Sequence, residues 1–179
     1  MKRIIFLFVC LFSICVFAEV TRKDYANAMI KELKVAPEQP TQEVEKSQEE
    51  WKKELSEVEY HVLRNAGTEP PNGNIYKQFK AQGDGDYYCV GCGAKLFDSE
   101  QKFDSGSGWP SFFDGTLKNI RLDEDYHLGY KRVEIRCNKC DGHLGHVFEG
   151  EGYKTPTDKR YCVNGVCLTF VPQKEGEDK

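Results

Sequence analysis

Two Cys-x-x-Cys pairs have the spacing of metal ligands. Cys89 and Cys92 form one pair, and Cys137 and Cys140 form the other. Each pair can occupy a tight turn that directs both sulfurs inward, and two such turns together make a closed tetrahedral site. Thiolates favour zinc over hard cations, with iron as the second candidate. The sequence therefore predicts a structural zinc site, and a pair of disulfides between the turns is the alternative.

Six further residues, found upstream and in the last third of the chain, could support thiol chemistry. They are Trp109, His143, His146, Arg160, Cys162 and Asn164. A nearby arginine or protonated histidine lowers the pKa of a cysteine thiol and makes it a nucleophile. A histidine can also protonate a departing oxygen. Taken singly, each residue also has an ordinary structural role, such as a small buried residue for Cys162.

Longer motifs around these residues resemble the B-type methionine sulfoxide reductases. They are residues 102–112, 142–148 and 160–164, and the two Cys-x-x-Cys pairs fall where zinc-containing members of the family carry theirs. Residues 51–64 and 67–70 also resemble the opening of the family. The resemblance therefore extends from about residue 51 to residue 170, over the whole expected domain.

The resemblance implies a fold, a reaction and a role for each residue. The fold would be mainly β (α+β), with two antiparallel sheets, short N-terminal helices and the four-cysteine zinc site. The reaction would reduce the R epimer of methionine sulfoxide, free or in proteins. Cys162 would attack the sulfur, His143, His146 and Asn164 would surround the oxygen, Arg160 would stabilise the thiolate and Trp109 would hold the methyl group. The products would be methionine and a sulfenic acid on Cys162.

The sequence departs from this family at three places. Ser107 stands where many members have a resolving cysteine, so Cys167 is the one spare thiol that could resolve Cys162. A buried structural role for Cys167 is the alternative, with a thioredoxin-like protein or a small thiol as the reductant. Residues 149–151 replace a common Asp-Gly, and Tyr130 stands where Met is common.

Periodic apolar residues predict the elements that position these motifs. Helical spacing puts Trp51, Leu55, Val58 and Val62 on one face. Ser56 and Glu59 form a capping-box pair, which predicts a new helix start between them. Short apolar or alternating runs predict strands at residues 87–90, 130–136, 147–149 and 166–171.

The N-terminal residues predict a secreted protein. Lys2 and Arg3 precede an apolar run at residues 4–17, and small residues follow before Glu19, which is typical of a cleaved signal peptide. That run is shorter than the roughly 20 residues that span a bilayer. We therefore expect a signal at residues 1–18, a mobile polar extension at 19–48 with one short helix at 25–33, the domain at 49–173 and a tail at 174–179. The destination would be extracellular, lumenal or periplasmic.

Composition limits the partners of the mature chain. The formal net charge is -4 for the whole chain, and removal of the signal would make it more negative. We therefore expect no nucleic-acid partner and no membrane association after cleavage. We also expect a monomer, and the resemblance implies that it acts on proteins containing methionine sulfoxide. Two other functions fit the same residues: a zinc-stabilised binding module without catalysis, and a general thiol peroxidase or disulfide oxidoreductase.

Overall fold

Eight strands in two antiparallel sheets form the body of the protein, which the computed structural model describes from residue 36 to residue 173. One sheet has the strand order β2-β1-β8 and the other has the order β3-β7-β6-β5-β4. The strands are β1 Gly85–Cys89, β2 Lys95–Asp98, β3 Ser111–Phe112, β4 Ile120–Asp125, β5 Arg132–Cys137, β6 His143–Glu149, β7 Lys159–Val163 and β8 Leu168–Pro172. The predicted mainly β fold with two antiparallel sheets is confirmed.

Three helices precede the sheets: α1 Gln48–Glu54, α2 Glu57–Asn65 and α3 Asn74–Ala81. A capping box begins α1, and Ser56 with Glu59 forms the predicted box at the start of α2. Trp51, Leu55 and Val62 are buried, but Val58 is 56% exposed, so the four residues do not form the single helical face that their spacing predicted. The reason is that the break at Ser56 starts a second helix and resets the periodicity.

Aromatic side chains join α3 to both sheets. Phe79 on α3 packs edge-on against Phe112, with ring centroids 5.5 Å apart. Phe97 of β2 stacks on the same Phe112 ring at 4.2 Å, and Tyr87 of β1 meets it at 5.0 Å. Each fully buried aromatic ring contributes about 2–3 kcal/mol. This cluster fixes β3, whose Phe112 lies opposite Tyr161 on β7.

The strands near the reactive motifs differ in extent from the prediction. β5 begins two residues later than expected, at Arg132, because residues 126–131 form the turn from β4. β6 begins at His143, four residues before the expected start. A short 3-10 helix at Gly165–Cys167 occupies the expected start of β8.

The segment before α1 lies against the cysteine turns. The Gln39 side-chain amide donates to the Gly93 carbonyl at 2.8 Å and accepts from the Lys95 amide at 2.8 Å. The Val44 amide donates to the Lys139 carbonyl at 2.6 Å. Residues 36–47 are therefore part of the folded domain, in contrast to the expected mobile extension, because their polar groups pair with both turns.

The expected signal at residues 1–18, the short helix at 25–33 and the tail at 174–179 lie outside the described residues. Between residues 36 and 173 no helix has the length and apolar character needed to cross a membrane.

Candidate active site and zinc site

Two turns of the same geometry carry the four paired cysteines. Cys89 ends β1 and Cys137 ends β5, and each first cysteine accepts a hydrogen bond from the residue four positions later, Gly93 at 2.8 Å and Asp141 at 2.9 Å. Gly93 and Asp141 both have positive φ, 79° and 57°. These hydrogen bonds close the turn that holds both cysteines of a pair, and the left-handed residue redirects the chain directly after the second cysteine.

The four sulfurs fit a tetrahedral zinc ion. All four lie within 4.8 Å of one another, with 3.7 Å between the Cys89 and Cys140 sulfurs and 3.5 Å between those of Cys92 and Cys137. Zinc–sulfur bonds of about 2.3 Å require sulfurs about 3.8 Å apart. Every cysteine from residue 36 to residue 173 is a free thiol, which argues against the disulfide alternative. The four thiols make up the predicted structural zinc site, with no position left for a substrate.

Cys162 lies in a row of side chains across the five-stranded sheet. His146 on β6 is directly opposite Cys162 on β7, Ser111 on β3 is opposite it on the other side, and Glu134 on β5 is opposite His146. Directly opposed residues share one face of a sheet with their Cβ atoms about 5 Å apart. Tyr161 and Val163, which flank Cys162, are buried. We call the sheet face that carries Cys162, His146 and Glu134 the thiol face.

A β-bulge brings His143 to the thiol face as well. In a regular strand, residues three apart point to opposite faces. The register of β5 and β6 shifts between Ile135 and Arg136, so that Gly145 pairs with Ile135 and His143 pairs with Arg136. As a result the two histidine rings lie 5.5 Å apart. A Cβ on Gly145 would lie 2.0 Å from the Cys162 carbonyl oxygen, so this position requires glycine.

Each histidine is bound to a carboxylate that the sequence did not identify. His143 Nδ1 lies 2.5 Å from Glu134 Oε1, and His146 Nε2 lies 2.7 Å from Asp125 Oδ2 at the end of β4. Because these nitrogens are engaged, Nε2 of His143 and Nδ1 of His146 are the ring atoms left to meet a substrate. Arg132 also pairs with Asp125.

The two histidine–carboxylate pairs differ electrostatically. Burial lowers the pKa of His143, against the raising effect of Glu134, and so favours the neutral ring. The backbone N–H of His127, together with His146 and Arg132, holds the pKa of Asp125 well below its usual range. Asp125 is therefore a fixed negative charge beside His146.

Opposing effects act on the pKa of the Cys162 thiol. Burial raises its pKa above the usual value, whereas the Arg160 charge and a hydrogen bond from the Ser107 hydroxyl act to lower it. Arg160 lies on the same face, two residues from Cys162, and its guanidinium forms two hydrogen bonds to Glu151, at 2.7 and 2.9 Å. Arg160 acts to lower the pKa of Cys162, which is the predicted direction, but this effect is smaller than the rise caused by burial. Glu151, which binds Arg160, lies in residues 149–151, the segment where the sequence departs from the family.

Asn164 and Trp109 are tied to one buried loop residue, Glu69. The Asn164 side-chain oxygen accepts from the Glu69 amide at 3.0 Å, and its nitrogen donates to the Leu144 carbonyl at 3.0 Å. The Glu69 carboxylate accepts from the Gly165 amide at 2.7 Å, and its carbonyl accepts from Trp109 Nε1 at 3.0 Å. Asn164 is buried, and hydrogen bonds to Glu69 fix both Asn164 and Trp109.

Cys167 is separated from that face. It has no exposed surface, and its sulfur donates to the His143 carbonyl at 3.5 Å. Burial raises the pKa of this thiol well above its usual value. This environment favours the structural alternative over a resolving role.

Comparisons with known proteins agree with these sites. The family described as SelR domain matches residues 55–172. Peptide methionine sulfoxide reductase B5 of Oryza sativa subsp. japonica is 51% identical over 128 residues, which cover 72% of this chain and 91% of the relative. Peptide methionine sulfoxide reductase MsrB of Methanosarcina barkeri is 50% identical over 136 residues, with 75% and 92% covered. Peptide methionine sulfoxide reductase B5 of Arabidopsis thaliana is 49% identical over 131 residues, with 73% and 91% covered.

Proposed function

The chain belongs to the SelR family of B-type methionine sulfoxide reductases, and from this premise we propose that Cys162 is the nucleophile of the reaction. The protein is a peptide-methionine (R)-S-oxide reductase, an oxidoreductase that acts on a sulfur group. The observation that carries the assignment of Cys162 is its position in register with His146 on the thiol face. The zinc site supports the fold and takes no part in the reaction.

In the reaction, the Cys162 thiolate attacks the sulfoxide sulfur. The oxygen takes up a proton and passes as hydroxyl to the cysteine sulfur, so that methionine leaves and Cys162 becomes a sulfenic acid. The sulfoxide sulfur gains two electrons and the cysteine sulfur loses two. Arg160 stabilises the thiolate before attack, and its ion pair with Glu151 holds the guanidinium in place.

His146 is the proton donor in this proposal. Its Nε2 lies 2.7 Å from Asp125 Oδ2, which fixes the ring and leaves Nδ1 to face the sulfoxide oxygen. His143 is neutral and bound through Nδ1 to Glu134. Its second nitrogen orients the substrate or a water molecule and accepts a hydrogen bond.

Trp109 and Asn164 shape the substrate site. The indole N–H is donated to the Glu69 carbonyl, which leaves the ring as a rigid apolar wall for the methyl group. Asn164 holds the end of β7 through Leu144 and Glu69, and its second amide hydrogen is available to the sulfoxide oxygen.

An external thiol regenerates Cys162. Ser107 replaces the resolving cysteine of many relatives, and Cys167 is fully buried with its sulfur bound to a carbonyl. A thioredoxin-like protein or a small thiol therefore attacks the sulfenic acid directly, which releases water and forms a mixed disulfide that a second thiol reduces.

The mature protein works in the secretory pathway as a monomer. Lys2, Arg3, the apolar run at residues 4–17 and the small residue before Glu19 support this location. A zinc site, rather than disulfides, then stabilises the domain in an oxidising compartment.

A single-turnover experiment tests the assignment of Cys162. Reduced protein is mixed with methionine R-sulfoxide in the absence of a reductant, and methionine and the dimedone adduct of the protein are measured by mass spectrometry. We expect one methionine per protein and an adduct on Cys162, with neither in the Cys162→Ser variant. A disulfide with Cys167 would contradict direct regeneration, and faster oxidation by peroxide than by sulfoxide would favour the thiol peroxidase alternative.

A further inference from the structure

Glu69 carries a buried carboxylate whose partners are uncharged. The residue is 6% exposed, and no lysine or arginine between residues 36 and 173 forms an ion pair with it. One carboxylate oxygen accepts from the Gly165 amide at 2.7 Å, and the other accepts from the Val166 amide at 3.0 Å. Burial raises the pKa of Glu69, and these two hydrogen bonds act to lower it. Because a charge buried without an opposite charge costs stability, a contribution to stability is a poor explanation for a glutamate at this position.

The main chain of the same loop holds two side chains of the substrate site. The Glu69 amide donates to Asn164 Oδ1 at 3.0 Å, and the Glu69 carbonyl accepts from Trp109 Nε1 at 3.0 Å. The Thr68 hydroxyl also donates to Asn164 Oδ1, at 3.0 Å. The carboxylate therefore anchors the loop to the 3-10 helix at Gly165–Cys167, and the anchored main chain then fixes Asn164 and Trp109.

Two donors at its oxygen determine the orientation of the Asn164 amide. An amide oxygen has two lone pairs, and here they accept from the Glu69 amide and the Thr68 hydroxyl. The nitrogen must therefore lie on the other side, where one of its two hydrogens is donated to the Leu144 carbonyl at 3.0 Å. The second hydrogen remains, so Asn164 can donate to a substrate oxygen.

Asn164 leaves the chain on the same side as Cys162. It is two residues later, and its backbone is still extended, with φ −68° and ψ 122°. Its backbone amide donates to the Leu144 carbonyl at 2.8 Å and so continues the ladder between β6 and β7. Residues two apart in an extended chain point to the same side. The donor that Glu69 and Thr68 orient is therefore a neighbour of the thiol.

We propose that Glu69 is a positioning residue, whose carboxylate anchors the loop that makes Asn164 a hydrogen-bond donor to the sulfoxide oxygen. This inference rests on the proposed function, in which Asn164 contacts the substrate. Glu69 acts through Asn164 and does not itself touch the substrate or Cys162. The cost of burying its charge is then offset by a substrate site whose donor is oriented before the sulfoxide binds.

A double-mutant cycle tests whether Glu69 acts through Asn164. Glu69→Gln has nearly the same shape, but its amide can accept only one of the two backbone hydrogen bonds. Values of kcat/KM for N-acetylmethionine R-sulfoxide are measured in the wild type, in Glu69→Gln, in Asn164→Ala and in the double variant. Glu57→Gln is the matched control, because Glu57 is exposed at the start of α2. The rate of Cys162 alkylation by iodoacetamide is measured in each protein.

A second variant covers the case in which Glu69→Gln does not fold. Thr68→Val removes one of the two donors to Asn164 Oδ1 at an exposed residue, so the fold should be kept. It is placed in the wild-type and Asn164→Ala backgrounds, and the same two quantities are measured.

We expect kcat/KM to fall by about tenfold or more in Glu69→Gln and by about threefold in Thr68→Val, because the donor loses its orientation. Cys162 alkylation should be unchanged, and Glu57→Gln should match the wild type. In the Asn164→Ala background most of either effect should disappear, since both substitutions act on the same hydrogen bond.

Three results would overturn the inference alone: additive effects of the substitutions with Asn164→Ala, an equal fall in Cys162 alkylation, or activity of the variants within about 1.5-fold of the wild type. The first two would show that Glu69 supports the fold or the thiol. A wild type inactive on the sulfoxide would instead refute the proposed function.

Discussion

The zinc site and the thiol face use the same kind of atom, a cysteine sulfur, for different purposes. Cys137 ends β5, and Cys162 lies two strands away on β7. Three other cysteine sulfurs lie within 4.8 Å of the Cys137 sulfur, whereas Cys162 has Arg160, Ser107 and His146 as neighbours. The number and type of neighbours decide whether a cysteine holds a metal or reacts.

The two sites also differ in how the chain builds them. The zinc turns are closed by hydrogen bonds between residues four positions apart, with a left-handed residue in each. The thiol face depends on the register of four strands and on the bulge that turns His143 toward His146. Each half of the zinc site is built locally, whereas the thiol face is assembled by the whole sheet, so substitutions should separate stability from activity.

The largest effect is expected from a change at the zinc site. Cys89→Ser removes one of four thiolates, and structural zinc contributes on the order of 10 kcal/mol of folding free energy. We expect loss of zinc and unfolding at 25 °C, measured by metal analysis and circular dichroism. Retention of the folded state without bound metal would remove the distinction between the two sites.

Cys162→Ser should have the reverse effect. We expect turnover to fall by at least about 10³-fold, because a hydroxyl without an activating base is a poor nucleophile. Zinc content should be unchanged and the free energy of unfolding should change by less than about 1 kcal/mol, since Cys162 is only partly buried. Residual activity of half or more would exclude Cys162 as the nucleophile.

A smaller effect is expected from Arg160→Met. The guanidinium lowers the pKa of Cys162, so its loss raises that pKa further and leaves less thiolate at neutral pH. A rise of one pKa unit reduces the thiolate fraction by about tenfold. The rate of alkylation by iodoacetamide should therefore fall at pH 7 and recover at alkaline pH. Lys159→Met is the control, and an equal shift in both variants would contradict a specific role.

Cys167→Ala should have the smallest effect on activity. Cys167 is buried and apart from the thiol face, so turnover with dithiothreitol should stay within about twofold. Loss of buried sulfur should lower stability by about 1–2 kcal/mol in urea unfolding. A collapse of multiple turnover after an intact first turnover would identify Cys167 as the resolving thiol.

The same contrast explains what could be predicted from the sequence. Cys89, Cys92, Cys137 and Cys140 were recognisable because a metal turn is encoded in a few adjacent residues. The capping box at Ser56 was recognisable for the same reason. The fold class and Cys162 followed from the resemblance of long motifs to a known family.

The supporting residues could not be predicted, because their partners are distant in sequence. Nothing near Asp125 or Glu134 in the chain indicates that each binds a histidine, since this depends on strand register and on one bulge. Glu151 lies in a motif that departs from the relatives, and only the folded turn shows that it pairs with Arg160. The Glu69 carboxylate accepts a hydrogen bond from the Gly165 amide, which lies 96 residues away in the sequence.

Turnover of the two sulfoxide epimers tests the central claim most directly. Purified mature protein is supplied with dithiothreitol and either the R or the S epimer of N-acetylmethionine sulfoxide, with Cys162→Ser as the blank. The account predicts methionine formation from the R epimer alone, at a rate that depends on Cys162. No turnover of the R epimer, or equal turnover of both, would contradict it.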